Sequence, residues 1–298
     1  MPTDYLAEPL TGGPFTLAEG PVWHPSRERI HWVDIEGKQV FEGIPEKDAV
    51  VVTATHTFDA RVSAVVYADD GRLLVAEETR LTVIERDGRR TPGPDIIVDG
   101  RRSRTNDGAV DPAGRFLIGT MTLDGTPQHE VLARVEDDRT VTVLDDDLSI
   151  SNGLAWTADG STLFSVDSRS RTIYRRAYDP LGLAVGPREV AITIPDGVPD
   201  GLCLDVDGNL WVAIWGAGEI RCLTPTGDLL ATVSVRAPHT SSVAFCGPSL
   251  DRLLITTARA DLSADQLRAF PDSGRLFAVS VDTTGLPTTP WSGSWAKA

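Results

Sequence analysis

The stretch Arg104-Thr105-Asn106-Asp107-Gly108-Ala109-Val110-Asp111-Pro112-Ala113-Gly114-Arg115 sets a cation, an amide and a carboxylate side by side just before a tight turn. Asn106 precedes the turn glycine Gly114 by eight residues, and the same offset separates Ser63 from Gly71, Asn152 from Gly160 and Asp200 from Gly208. One structural position is therefore reused along the chain with different polar side chains.

Aligning the segments that share this position exposes a period. They begin at Glu19 (EGPVWHPSRERIHWVDI), Ser63 (SAVVYADDGRLLVAE), Asn106 (NDGAVDPAGRFLIGTM), Asn152 (NGLAWTADGSTLFSVDS), Asp200 (DGLCLDVDGNLWVAIWG) and Ser241 (SSVAFCGPSLDRLLITTA), with starts 44, 43, 46, 48 and 41 residues apart. Each unit reads as a short strand, a polar Asp/Gly turn, a second apolar strand and one or two more. In the fifth unit the strands are read as Leu202 to Val206, Leu210 to Trp215, Ile220 to Leu223 and Leu229 to Val235. No stretch reads as a long amphipathic helix.

A period in the forties with about four strands per unit is the mark of a β-propeller. The expectation is an all-β, six-bladed β-propeller with a central metal site, formed by residues 1–298 as a single domain. One repeat cannot bury both faces of its sheet, so neighbouring blades must pack and the ring must close. The segment before Glu19, including Phe15 to Ala18, is expected to add a strand to the last blade near Leu276 to Val281 and so protect that edge. Because inner strands start near the axis, Glu19, Ser63, Asn106, Asn152, Asp200 and Ser241 or Ser242 should converge there. Two insertions, Leu123-Asp124-Gly125-Thr126-Pro127-Gln128 and Ala260 to Ser273, are placed to overhang the channel mouth or to form plain surface loops; in the second, Ser263 and Gln266 can cap a helical turn.

Composition narrows the partners. The chain has 298 residues, 41% hydrophobic and 24% charged, with 27 Gly and 20 Pro, the profile of a turn-rich globular protein. A net charge of −15 and a pI near 4.7 disfavour nucleic-acid backbones and anionic membrane surfaces as partners. No leader pattern and no apolar run of ~18 residues is present, so a cytoplasmic protein is expected. The odd count of cysteines, Cys203, Cys222 and Cys246, without CxxC spacing, fits buried reduced thiols. No coiled coil or sticky face is readable, which leaves a monomer or weak homo-oligomer.

Glu19, Asn152 and Asp200 offer two carboxylates and an amide oxygen. Such an all-oxygen set suits one hard divalent cation, Ca²⁺, Mg²⁺ or Mn²⁺, and tolerates Zn²⁺ or Fe²⁺. Oxygen donors of this type select a class of ion rather than one member. Taken singly, Asn152 and Asp200 also read as the first residues of Asn-Gly and Asp-Gly turns; their shared offset favours the site. The sequence carries no GxSxG elbow, HExxH or phosphate loop. Its five histidines are scattered, and tryptophans such as Trp23, Trp32, Trp156 and Trp211 read as blade core.

The runs LAEGPVWHPSRERIHWVDIEG (17–37), RTNDGAVDPAGRFLIGTM (104–121), SNGLAWTADGSTLFSVDS (151–168), PDGLCLDVDGNLWVAIWGAG (199–218) and HTSSVAFCGPSLDRLLITTA (239–258) resemble the senescence-marker-protein/gluconolactonase/luciferin-regenerating-enzyme family, also called regucalcin-like. The resemblance spans nearly the whole chain. It implies a propeller with one divalent metal held by the glutamate of EGP, the asparagine of NG and the aspartate of PDG, which fall on Glu19, Asn152 and Asp200. It further implies that Arg104 and Asn106 of RxNDG hold a sugar-lactone substrate. An acidic residue after the GTM motif touches substrate in many relatives; Asp124 is its counterpart, with a shorter side chain than the common Glu.

The expected function is metal-dependent hydrolysis of a sugar lactone, with water activated at the metal, Asp200 taking its proton, and Arg104 and Asn106 orienting the ring. Two other readings stay open at this level: an esterase or phosphotriesterase-type hydrolase, and a non-enzymatic calcium-binding propeller. Arg104 argues against the last, because a pure cation site has no use for a neighbouring arginine.

Overall fold

The computed structural model describes residues 2–97, 102–125, 129–181 and 184–294. Its described elements are strands, apart from the short helix Ala264–Ala269. The strand-forming signal is strongest next to the axis. In Val62–Tyr67 all six side chains are buried, as expected for a β-branched run covered on both faces. The outer strand Val50–Thr57 is instead largely open to solvent, with Val50 alone buried.

Four repeats fold as separate four-stranded antiparallel sheets. The first runs through Ala18–His24, Arg29–Asp34, Gln39–Pro45 and Val50–Thr57. The second takes Val62–Tyr67, Leu73–Glu77, Arg80–Ile84 and Arg90–Asp95. The third takes Ser103–Val110, Phe116–Thr122, Glu130–Val135 and Val141–Leu148, and the fourth Ser151–Trp156, Thr162–Asp167, Thr172–Ala177 and Glu189–Thr193.

The expectation of a six-bladed β-propeller is corrected at the remaining two repeats. They are joined in one nine-stranded sheet, so the molecule is all-β and propeller-like with four separate blades and one continuous sheet. The physical reason is a single register pair, Trp215 with His239, which hydrogen-bonds Leu210–Trp215 to His239–Cys246. The rings of these two residues stack with centroids 4.2 Å apart. The fifth repeat comprises Val198–Leu204, Leu210–Trp215, Glu219–Leu223 and Leu229–Ser234, its inner strand starting earlier than the sequence pattern suggested.

The amino-terminal segment does add a strand to the last repeat, as expected, but through Glu8–Pro9 and not through Phe15 to Ala18. Thr3–Leu6 runs parallel to Leu229–Ser234 of the fifth repeat. The partner of the final strand Phe277–Ser280 is Glu8–Pro9, whereas Phe15 joins the apolar cluster of Trp23, Trp32 and Leu254 and Ala18 opens the first inner strand. Apolar clusters of this kind fill the spaces between successive repeats; Phe164, Ile173, Leu210 and Val212, for example, join the fourth to the fifth.

At the opposite end of the chain, residues 286–293 cross beneath the inner strands. Tyr67 Oη donates to the Thr288 carbonyl (3.1 Å), the Trp291 and Ser292 N–H groups donate to Tyr67 and Gly114 carbonyls (2.8 Å each), and Arg72 Nη2 donates to the Gly293 carbonyl (3.1 Å). This segment ties the last repeat to the second and third.

Candidate active site at the axis

Each inner strand breaks register at the position the sequence offset selects. Shifts fall between Glu19 and Val22, Val62 and Ala64, Thr105 and Gly108, Asn152 and Leu154, Pro199 and Leu202, and Thr240 and Ser242. A bulge leaves a residue out of the ladder and re-aims its side chain. The glycines of the NG and DG pairs follow from crowding at these bulges. A Cβ on Gly153 would lie 2.7 Å from the Asp200 carbonyl oxygen, and one on Gly201 2.1 Å from Ser242 Oγ.

The strands enter the axis under clamps. Asp34 accepts the N–H groups of Thr16 and Leu17 (2.8 and 2.9 Å), fixing the approach to Glu19. Asp167 does the same for Ser149 and Ile150 (3.3 and 3.1 Å), just before Asn152.

A continuous hydrogen-bond chain then links three repeats. Arg104 Nη1 donates to the Thr105 carbonyl (2.9 Å) and to Asn106 Oδ1 (2.7 Å). Asn106 Nδ2 donates to the Ser151 carbonyl (2.9 Å) and to Asn152 Oδ1 (2.7 Å). Asn152 Nδ2 donates to Ser168 Oγ (2.8 Å), which donates to the carbonyl of Pro199, the residue before Asp200 (2.6 Å). Arg104, Asn106 and Asn152 therefore meet as expected. Ser168 was not foreseen, although it closes the quoted run 151–168; it lies outside the offset that flagged the others.

The serines at the equivalent positions serve a different purpose. Ser63 Oγ pairs with Thr105 Oγ1 (2.7 Å), and Ser241 Oγ donates to the Ala18 carbonyl (2.6 Å), stitching the last repeat to the first.

Charge at the axis is poorly compensated. Glu19, Asp200 and Arg104 are all buried. Burial, then the nearby Asp107 carboxylate, pushes the Glu19 carboxyl up to about 8. Burial, then Glu19 and Asp107, raises Asp200 well above the usual carboxylate range. Burial lowers the Arg104 guanidinium to about 10 against the pull of Glu19. Among the described residues, Asp200 Oδ1 is buried with no hydrogen-bond partner, and Glu19 accepts only the N–H of Gly20 (3.0 Å). Arg104 keeps Nε and Nη2 without a protein acceptor among the described residues.

Among the described residues no three His, Cys, Asp or Glu side chains form a metal-holding group. The donors at the axis are instead two carboxylates and neighbouring amides. The orphaned Asp200 oxygen beside a second, mutually repelling carboxylate is the arrangement that a hard divalent cation would satisfy.

Asp107 adds a third buried carboxylate beside this set, acting on both Glu19 and Asp200. Its Oδ1 accepts the Gly108 N–H (2.8 Å), burial pushes its carboxyl up to about 6, and it lines a cavity of about 430 Å³ with Gly20, Leu202, Cys203, Phe245 and Leu286. This cavity is bounded by residues that follow the bulges and by the crossing carboxy-terminal segment, so it does not coincide with the Glu19, Asn152 and Asp200 set.

Asp124 stands outside the hydrogen-bonded chain. It is exposed on the turn after Phe116–Thr122, and its Oδ1 accepts from Thr122 Oγ1 (2.8 Å). Arg169 Nη1 donates to the Gly125 carbonyl (3.1 Å), tying this turn to the fourth repeat. The rest of the first expected lid, residues 126–128, lies outside the described residues. The second contains the helix Ala264–Ala269, none of whose residues is buried, with the Ser263/Gln266 capping box that the sequence suggested.

Residues 17–259 match the family model described as the SMP-30/Gluconolactonase/LRE-like region. Pentonolactonase XacC of Haloferax volcanii is 34% identical over 280 residues, covering 91% of this chain and 93% of that protein. Regucalcin of Danio rerio is 30% identical over 283 residues, covering 93% and 95%. The crystal structure of a calcium-binding protein, regucalcin, from Agrobacterium tumefaciens superposes with a TM-score of 0.90 at 28% identity, covering 97% of this chain and 98% of that one.

Proposed function

Because the chain belongs to the SMP-30/gluconolactonase/LRE-like family, we propose that it is a divalent-metal-dependent lactonase that opens sugar lactones at the axial site. The observation that carries this reading is the unpartnered, buried Asp200 Oδ1 next to Glu19, within the set that also holds the free donors of Arg104. The relatives named pentonolactonase and calcium-binding regucalcin support the substrate class and the cation respectively.

Glu19, Asn152 and Asp200 would hold the cation, which when bound supplies Lewis-acid polarisation of a carbonyl and a lowered pKa for water. The chain's own groups do the rest. Arg104 directs Nε and Nη2 at the substrate's oxygen substituents, while Nη1 is spent on Thr105 and Asn106 and holds the guanidinium still. Asn106 is locked from both sides by Arg104 and Asn152, so it offers a fixed wall. Water oxygen bonds to the lactone carbonyl carbon as Asp200 takes one of its protons; the ring C–O bond then breaks and that proton passes to the departing oxygen, leaving a hydroxy acid. Asp124, at the rim, would contact substituents far from the reacting carbonyl.

Steady-state hydrolysis of gluconolactone and pentonolactones tests the assignment. Asp200→Ala should lower kcat/KM by about 10²–10³-fold, the size typical for loss of one preorganised electrostatic group, and Arg104→Ala should raise KM. An Asp200→Ala protein as active as its parent would overturn the reading.

A further inference from the structure

The position two residues before each bulge repeats around the axial site. In repeat order it holds Leu17, Arg61, Arg104, Ile150, Val198 and His239. Arg61 is thus the second repeat's counterpart of Arg104, and it does not stand alone. Its Nε lies 2.9 Å from Glu36 Oε1 and its Nη1 3.5 Å from Glu78 Oε2. The backbone brings this group beside Arg104: the Glu78 carbonyl accepts the Thr105 N–H (2.8 Å) and the Glu77 carbonyl accepts Thr105 Oγ1 (2.6 Å). Glu36 and Arg61 are also among the charges that act on the Arg104 guanidinium.

The chemistry of the group restricts what it can bind. Its side chains are about one-third exposed, 32% for Arg61, 36% for Glu36 and 31% for Glu78, so they retain lone pairs and N–H groups open to solvent. Two carboxylates outnumber one guanidinium, which disfavours an anionic ligand, and full charge disfavours an apolar one. An array of acceptor, donor and acceptor matches vicinal hydroxyl groups, each of which donates to a carboxylate and accepts from the guanidinium.

We propose that Glu36, Arg61 and Glu78 form a polyol-recognising wall at the mouth of the axial site, which binds the hydroxyl groups of a neutral polyhydroxylated lactone and sets the preference for such substrates. The inference rests on the lactonase reading for its kinetic form and deepens it. The wall contacts substituents and not the reacting carbonyl, so these are specificity residues.

The test compares parent, Arg61→Met and the double variant Glu36→Gln/Glu78→Gln in two measurements. The first is the ratio of kcat/KM for a pentonolactone to kcat/KM for δ-valerolactone, a lactone without hydroxyl substituents. The second is the Kd for xylitol by calorimetry, which needs no turnover. The ratio should fall about tenfold or more in the variants, and xylitol should bind about tenfold or more weakly. A ratio and a Kd equal to those of the parent would overturn the wall while leaving the lactonase intact. If the parent opened no lactone, the proposed function would fail; xylitol binding weakened in the variants would then still support the wall, and xylitol binding that was equal or undetectable throughout would overturn it.

Discussion

The inner strand Ser103–Val110 joins two buried acidic environments that differ in every other respect. Just past its far end, Asp111 is fully buried and accepts from the N–H groups of Ala113 and Arg115 (2.9 and 2.8 Å), from Arg115 Nε (2.9 Å) and from Tyr178 Oη (2.7 Å). At its near end lie Glu19 and Asp200, also buried, with one Gly20 N–H for the first and, among the described residues, an orphaned Oδ1 on the second. Burial of a carboxylate is tolerated structurally when its lone pairs are filled. The far end therefore reads as architecture and the near end as a place kept open for a ligand.

That contrast fixes the sign of mutational effects. Asp111→Ala strips Arg115 and Tyr178 of their shared acceptor and should cost about 3–5 kcal/mol, the usual result of breaking a buried pair from one side; urea unfolding followed by fluorescence measures it. Asp200→Asn should act in the opposite direction. Removing a repelled buried charge should stabilise the cation-free protein by roughly 1–2 kcal/mol while abolishing most activity. A destabilised Asp200→Asn protein would erase the distinction between the two ends.

Smaller effects sharpen the comparison. Ser241→Ala leaves the Ala18 carbonyl without its 2.6 Å donor where the last repeat meets the first, at a cost of about 1 kcal/mol. The smallest effect concerns acid. His24 is buried against Tyr67, their rings stacked with centroids 3.9 Å apart, and burial lowers its pKa from 6.5 to about 4. The neutral ring is favoured in the folded state, so this stabilisation is complete above pH 6.5 and is lost as pH falls towards 4. The Tm should drop by a few degrees over that window, and by less in His24→Asn.

The site was legible because two backbone constraints sit at a fixed distance. The turn glycines Gly71, Gly114, Gly160 and Gly208 all adopt positive φ, between 70° and 89°, and the bulges precede them by a constant count. Polar residues at those bulges therefore show as a periodic signal. Asn106, Asn152 and Asp200 were readable on that ground, Glu19 by its place in the aligned repeats, and Arg104 by the family resemblance of the RxNDG motif. Ser168 was not, since a hydroxyl that joins one repeat's second strand to the next repeat's backbone carries no periodicity.

The repeat also hid the sheet count. The link between the fifth and sixth units rests on one pair, Trp215 and His239, at strand ends where no alternation marks a partner. The parallel pairing of Thr3–Leu6 and the crossing of residues 286–293 escaped for a similar reason. Both segments stand outside the period, and their partners are chosen by tertiary packing. Asp107 illustrates the limit of motif reading: it follows Asn106 in sequence, yet it bonds the Gly108 N–H and lines the adjoining cavity while still acting on Glu19 and Asp200.

The most direct test of the central claim is sugar-lactone hydrolysis by purified protein before chelator treatment, after it, and after adding back Ca²⁺, Mg²⁺, Mn²⁺, Zn²⁺ or Fe²⁺ singly, with Asp200→Asn in parallel. The account expects chelation to remove activity and at least one ion to restore it in the parent and not in the variant. Hydrolysis that survives complete chelation at the parent rate would contradict it.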